Sequence, residues 1–147
     1  MNGTSYERPV LFAYDGLEGA KAAIRQAASQ LQDGRRALVL TVWQPAGPSP
    51  AGRENPIERD ARRVAEEGAR LARVHGFEAE ATAERGQPVW ERIVQSAEEH
   101  DASLVVLGAH WRDPMNPVPT GLVAAAAADH TARPLLIVHA PPPRSVA

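Results

Sequence analysis

Short, almost wholly apolar runs alternate along this chain with longer segments whose apolar residues recur every three or four positions. That alternation leaves few folds open. Pro9 to Tyr14 stops at Asp15-Gly16; Ala37 to Trp43, Leu104 to Leu107 and Pro134 to His139 are further runs of the same kind. Short apolar runs bounded by turn signals suit strands buried on both faces. Between them, Ala20, Ala23, Ile24, Ala27 and Leu31 form a helical stripe within Leu17 to Leu31, closed by Asp33-Gly34. Ile57, Ala61, Val64, Gly68, Leu71 and His75 form a longer stripe, with Gly76 where a glycine ends a helix. Pro88 opens another helix, at a position where proline's missing N–H costs nothing, and Val89, Ile93, Val94 and Ala97 are its buried stripe. Leu122 to Ala128 begins a small, smooth helix.

Two segments read differently. In Phe77 to Glu84, Ala79, Ala81 and Ala83 alternate with polar residues, which predicts an edge strand. Gln44 to Pro56 holds four prolines and two glycines and reads as an irregular surface loop. The order is therefore β-α-β-α-β-α-β-α-β, which implies right-handed crossovers and a parallel sheet with helices on both faces. Such sheets bind ligands beyond the carboxyl ends of their strands, where the strand order reverses. Those ends are Asp15 after the first strand, Val42 after the second and Gly108 after the fourth.

Composition narrows the function classes. At 147 residues the chain makes one domain, 1–147, with tails at 1–8 and 141–147, and a domain this size buries roughly 70% of its unfolded surface. Cysteine is absent, which excludes disulfides, thiolate metal sites and cysteine nucleophiles. The first ten residues show neither the basic nor the apolar region of a secretory signal, so a reducing cytoplasm is the expected compartment. The longest apolar run, Leu122 to Ala128, is far short of the ~20 residues that cross a bilayer. Net charge is −2, from 16 basic and 18 acidic residues without a basic block, which argues against a nucleic-acid role. Arg59, Arg62, Arg63, Arg70 and Arg73 share one segment, but Glu58, Asp60, Glu66 and Glu67 interleave with them as on a solvated helix face.

Three loops meet at the expected crevice. The first, Tyr14 to Gly19, leads into a helix; Asp15 there can contact a ribose hydroxyl or a hydrated metal, or cap the helix, and the roles can coexist. The second follows Thr41-Val42-Trp43, where backbone groups past a strand end can read a flat base edge; Trp43 is read as packing. The third, Gly108 to Leu122, joins a buried strand to a helix N-terminus, where backbone N–H groups bind phosphate.

With these residues in place, the chain resembles the universal stress proteins of the UspA-like family from Val10 to His139. The opening Val10 to Ala28 resembles the family's first strand, Asp-Gly-Ser turn and Ala-rich helix. Ala37 to Trp43 resembles its second strand, Ala102 to His110 its fourth, and Ala125 to Ala140 its last helix and final strand. The resemblance implies a three-layer α/β/α sandwich of the adenine-nucleotide α-hydrolase-like kind, with a five-stranded parallel sheet in the order 3-2-1-4-5. It places Asp15, Val42, Gly108, Gly121 and Leu122 at an adenine nucleotide, ATP or AMP with Mg2+, and Ala13, His110 and Arg112 are expected to join them in that crevice.

In ATP-binding members the fourth strand leads into Gly-x2-Gly-x9-Gly-(Ser/Thr), which wraps the phosphates. On this chain the glycine positions fall on Gly108, Trp111 and Gly121, and the hydroxyl position on Leu122, so the spacing is kept while two of the four positions are lost. Asp15 matches the acidic residue after the first strand, Val42 the residue whose backbone reads adenine, and Leu17 stands where serine is usual. Leu122 has no hydroxyl, Pro114, Pro117 and Pro119 have no N–H, and Trp111 does not readily take the positive φ that glycine allows. Losing two or three hydrogen bonds to phosphate weakens triphosphate binding by about two to several powers of ten. Arg112 could offset part of this with a bidentate contact, and His110 or Trp111 could stack on a base.

The remaining polar residues read as structure. The five histidines show no metal-ligand spacing; His75, His100 and His130 fall near helix ends, where a partial positive charge suits the helix dipole. Walker A and GxSxG motifs are absent, no Ser-His-acid constellation stands out, and the neighbours Glu66-Glu67 and Glu98-Glu99 read as solvated surface. The last strand is strongly apolar, and as a sheet edge it invites pairing with a second copy; the resemblance also implies a homodimer through Pro134 to His139. The functional expectation is a non-enzymatic stress-response protein with a weakened adenine-nucleotide crevice. The alternatives are a nucleotide-independent interaction module and a weak nucleotide hydrolase on the same fold.

Overall fold

The structure is a computed structural model and describes residues 8–45, 47, 55–109 and 121–139, the side chain of Leu122 excepted. The elements run β1 (Val10–Ala13), α1 (Glu18–Gln30), β2 (Arg36–Trp43), α2 (Pro56–Val74), β3 (Glu78–Arg85), α3 (Val89–Glu99), β4 (Leu104–Gly108), α4 (Gly121–His130) and β5 (Leu135–Val138). The sheet is parallel throughout, in the order β3-β2-β1-β4-β5. The three-layer sandwich expected from the alternation is therefore what the chain forms.

Central strands are apolar on both sides because helices cover both sides. Phe12, Val39 and Val106 pack with Ala23, Ile24 and Ala27 of α1 and Ala69 and Ala72 of α2 on one face. Leu11, Leu40 and Leu107 pack with Ile93 and Ala97 of α3 and Ala124 and Ala127 of α4 on the other. Burying each Leu or Ile stabilises the fold by about 1.5–3 kcal/mol. The alanines let α1 and α2 lie close to the sheet, and at Gly68 the approach leaves no room for a side chain. A Cβ built there would stand 2.7 Å from the Tyr14 ring and 2.8 Å from Val39.

Helix ends follow the turn chemistry, with small departures. Asn55 caps α2, its side chain accepting from Ile57 N–H at 2.9 Å, and Pro56, placed in the loop from sequence, is the first helical residue. Gly76 has φ +99° and ends α2 in the left-handed conformation that favours glycine. Pro88 is the N-cap of α3 rather than its first residue. His75 and His100 are C-caps of α2 and α3, and His130 is the last residue of α4, as the dipole argument expects. The Arg-rich face of α2 carries Arg62–Glu58 and Arg63–Asp60 pairs on its exposed surface.

Since β1 leads left to β2 while β4 leads right to β5, the order reverses between β1 and β4. The carboxyl ends on either side of that point frame the site.

Candidate functional site at the carboxyl ends of the strands

Register brings the sequence-predicted positions to one level. Ala13 pairs with Leu40, Phe12 with Val106 and Gly108 with Val138, so Asp15, Val42 and Gly108 crown three adjacent strands. Ala13 lies just below, 2% exposed, in the core that α4 covers. Gly121 is the first residue of α4. His110 and Arg112, with Trp111 and the loop prolines, lie outside the described residues, as does the side chain of Leu122.

Beyond β1 the chain keeps extended geometry for one more residue, with Tyr14 N–H donating to the Leu40 carbonyl at 2.8 Å. It then turns at Gly16, φ +84°. Asp15 sits half-buried at this turn, and its Oδ1 accepts from Leu17 N–H at 2.9 Å. It is not the helix cap weighed from sequence: Leu17 holds that position and makes no side-chain cap. Asp15 instead braces the turn two residues earlier, which fixes its carboxylate at the rim of β1.

Thr41 was not singled out by the sequence, and it shapes the crest. It is buried, and its Oγ1 donates to the Tyr14 carbonyl at 2.9 Å, where a further ladder bond would otherwise fall. Alternation in β2 turns the peptide groups of Leu40 and Val42 toward β1. Leu40 is paired there, whereas the backbone N–H and C=O of Val42 have no backbone partner among the described residues. A threonine at the penultimate inward position of a strand was the available signal.

Gly108 has a structural reason to be glycine. A Cβ there would lie 2.9 Å from both the carbonyl carbon and oxygen of Gly19. The first turn of α1 is thus seated against the end of β4, which brings its N-terminus to the reversal point. Tyr14 lies under α2 beside the crest, and burial, aided by the Glu67 and Asp15 carboxylates, pushes its phenol up to about 12. Trp43 is half-buried with a buried indole Nε1, consistent with a packing role.

A second polar centre was not legible. Arg92 and Ser96 of α3 and its C-cap His100, at i, i+4 and i+8, converge on Glu84 of β3. Arg92 Nε stands 3.2 Å from Oε1, while Ser96 Oγ (3.3 Å) and His100 Nε2 (3.6 Å) approach Oε2, and Thr82 Oγ1 donates to Oε2 at 3.2 Å. The residue types resemble a hydrolytic triad, but the carboxylate lies between serine and histidine. A triad needs the histidine between the other two so that it can take the serine proton. This cluster ties α3 to the edge strand. Glu66 pairs with Arg73 and Glu98 with Arg133, so the adjacent glutamates act singly in ion pairs. Among the described residues no group of His, Asp and Glu could hold a metal ion, and no helix is long and apolar enough to cross a membrane.

Comparison with solved structures finds the same fold at low identity. A universal stress protein from Archaeoglobus fulgidus in complex with dAMP superposes with TM-score 0.67 at 22% identity, covering 88% of this chain and 96% of its own. A universal stress protein in complex with cAMP gives 0.66 at 20%, covering 90% and 97%. A universal stress protein family protein from Arabidopsis thaliana with AMP bound gives 0.64 at 17%, covering 92% and 93%. Among curated proteins none matches the sequence. The sequence model of the Universal stress protein family matches residues 7–139, from before β1 to just past β5, and the chain belongs to that family.

Proposed function

We propose that this chain is a non-enzymatic stress-response protein whose crevice takes an adenine nucleotide, a monophosphate in preference to ATP. The observation that carries the reading is the crest of β1 and β2. Asp15 is held at the rim by Leu17 N–H, level with the Val42 peptide groups that no backbone partner uses. A carboxylate for a ribose hydroxyl beside an in-plane donor and acceptor for a base edge is what a nucleoside requires. Three solved structures of the same fold are in complex with cAMP, in complex with dAMP, or with AMP bound, which supports the same ligand class.

The phosphate half is poorer. Gly108 is occupied in seating α1, Leu122 offers no hydroxyl, and Gly121 at the start of α4 keeps the helix N-terminus. In this reading His110 and Arg112 supply a stacking surface and a cation toward the phosphate. Where ATP binds, Asp15 is the carboxylate that would meet a hydrated Mg2+, whose charge would offset that of the phosphates.

Thermal unfolding with AMP, Mg·ATP and GTP tests the reading. Ligand at about 100 times its Kd stabilises by ~2.7 kcal/mol, a rise of several degrees. A rise with AMP exceeding that with Mg·ATP, and none with GTP, is expected. No rise with any adenine nucleotide would sink the proposal in favour of the interaction-module alternative.

A further inference from the structure

The sheet's two edges differ in chemistry, and the β3 edge leaves peptide groups facing outward. Its ladder to β2 begins with Glu78 N–H donating to the Arg35 carbonyl at 2.9 Å and ends with Gly86 N–H donating to the Trp43 carbonyl at 3.1 Å. In a parallel ladder, residues alternate in the side to which they turn their peptide groups. Glu78, Glu80, Thr82 and Glu84 therefore face β2, and Ala79, Ala81, Ala83 and Arg85 face outward. At Ala79 the outward carbonyl is taken by the Arg73 guanidinium, Nε at 3.1 Å and Nη2 at 3.0 Å. Beyond that stop, the outward N–H and C=O groups of Ala81 and Ala83 have no partner among the described residues.

The α3-facing side of the same strand carries Glu78 and Glu80, both exposed and in no ion pair among the described residues. They border a groove of about 540 Å³ whose lining also includes Leu38, Ala79, Arg36 and His100.

We propose that this edge docks an extended segment of a partner protein, which adds as a sixth strand outside β3 with lysine or arginine on the face that meets Glu78 and Glu80. The free peptide groups supply affinity, and the glutamates and groove select the side chains. A second copy is a poor occupant. Two β3 strands paired about a two-fold axis would set their glutamate rows on one face, where like charges oppose pairing. The same charge that keeps identical edges apart favours a basic strand. This edge lies apart from the nucleotide crevice, so the two readings stand or fall separately.

The test is a titration of ¹⁵N-labelled protein with a peptide alternating lysine and valine, against one with glutamate in place of lysine. Ala81 and Ala83 amides are expected to shift and exchange more slowly with the basic peptide alone. Ala83→Pro removes an outward donor while leaving the ladder to β2, which unchanged β2 resonances would verify, and it should abolish binding. Glu80→Lys should weaken binding by about tenfold or more, and it decides the matter should the proline variant not fold. Unmoved edge amides, equal binding of the acidic peptide, or full binding by both variants would overturn the proposal.

Discussion

Gly108 illustrates how one residue can satisfy a motif for a reason other than the motif's chemistry. Read from sequence, it is the first glycine of a phosphate loop; in the fold, its missing side chain lets Gly19 of α1 approach the end of β4. Gly108→Ala should therefore destabilise the ligand-free protein by about 1–3 kcal/mol, because backbone rather than a flexible side chain has to give way. At about 2–4 °C per kcal/mol for this size, the unfolding midpoint falls by several degrees without nucleotide. An unchanged ligand-free midpoint would return the glycine to a purely ligand-facing role. Tyr14 makes a second case. Its phenol, raised to about 12 by burial and the Glu67 and Asp15 carboxylates, should stay protonated past pH 10 in the folded protein. A raised pKa in the folded state contributes stability below the unfolded value of about 10, lost as pH rises through the folded one. Ultraviolet titration of the two tyrosines should show one ionising late, and Glu67→Gln should bring it earlier.

At the scale of elements, the pattern of apolar residues located every strand and helix of the described residues because each is long enough, or apolar enough, to show its buried face. Its errors fell at boundaries such as Pro56 and Pro88, where local capping decides. Contacts between elements were not legible. Nothing in the spacing of Arg92, Ser96 and His100 announces Glu84, because that partner arrives only when β3 takes the sheet edge beside β2. The same holds for Arg133, just before β5, which donates to both oxygens of Glu98 and to Asp101 beyond α3. Hydrogen bonds from Arg133 hold both carboxyls below their usual range. Depressed carboxylate values contribute stability above the unfolded pKa, lost as pH falls through the folded one. Acid unfolding should thus carry a component below about pH 4. Arg133→Gln should flatten it: the variant is less stable near pH 7 and converges with the parent in acid, by a small margin because these carboxylates are exposed and screened. Acid titrations of the two proteins that superpose would refute the link.

Across the whole molecule the sheet's edges define how copies and partners can meet. The β3 edge carries glutamates, while β5 carries Leu135 and Ile137, the latter 37% exposed. Pro134 and Val138 carbonyls bond to β4, so alternation turns the peptide groups of Leu135 and Ile137 outward. An apolar edge with free donors and acceptors, and without opposing charge, suits isologous pairing about a two-fold axis. This is the physical basis for the homodimer anticipated from the apolar last strand, and it predicts a dimer at micromolar concentration in sedimentation velocity. Ile137→Lys sets like charges against each other across the axis, and Ile137→Pro removes an outward donor while sparing the ladder to β4. Both variants should sediment as monomers with the fold retained. A monomeric unsubstituted protein would eliminate the β5 interface. A dimer that persists in both variants would place the contact on another surface, and Glu80→Lys, the substitution that probes β3, should leave the β5 dimer intact.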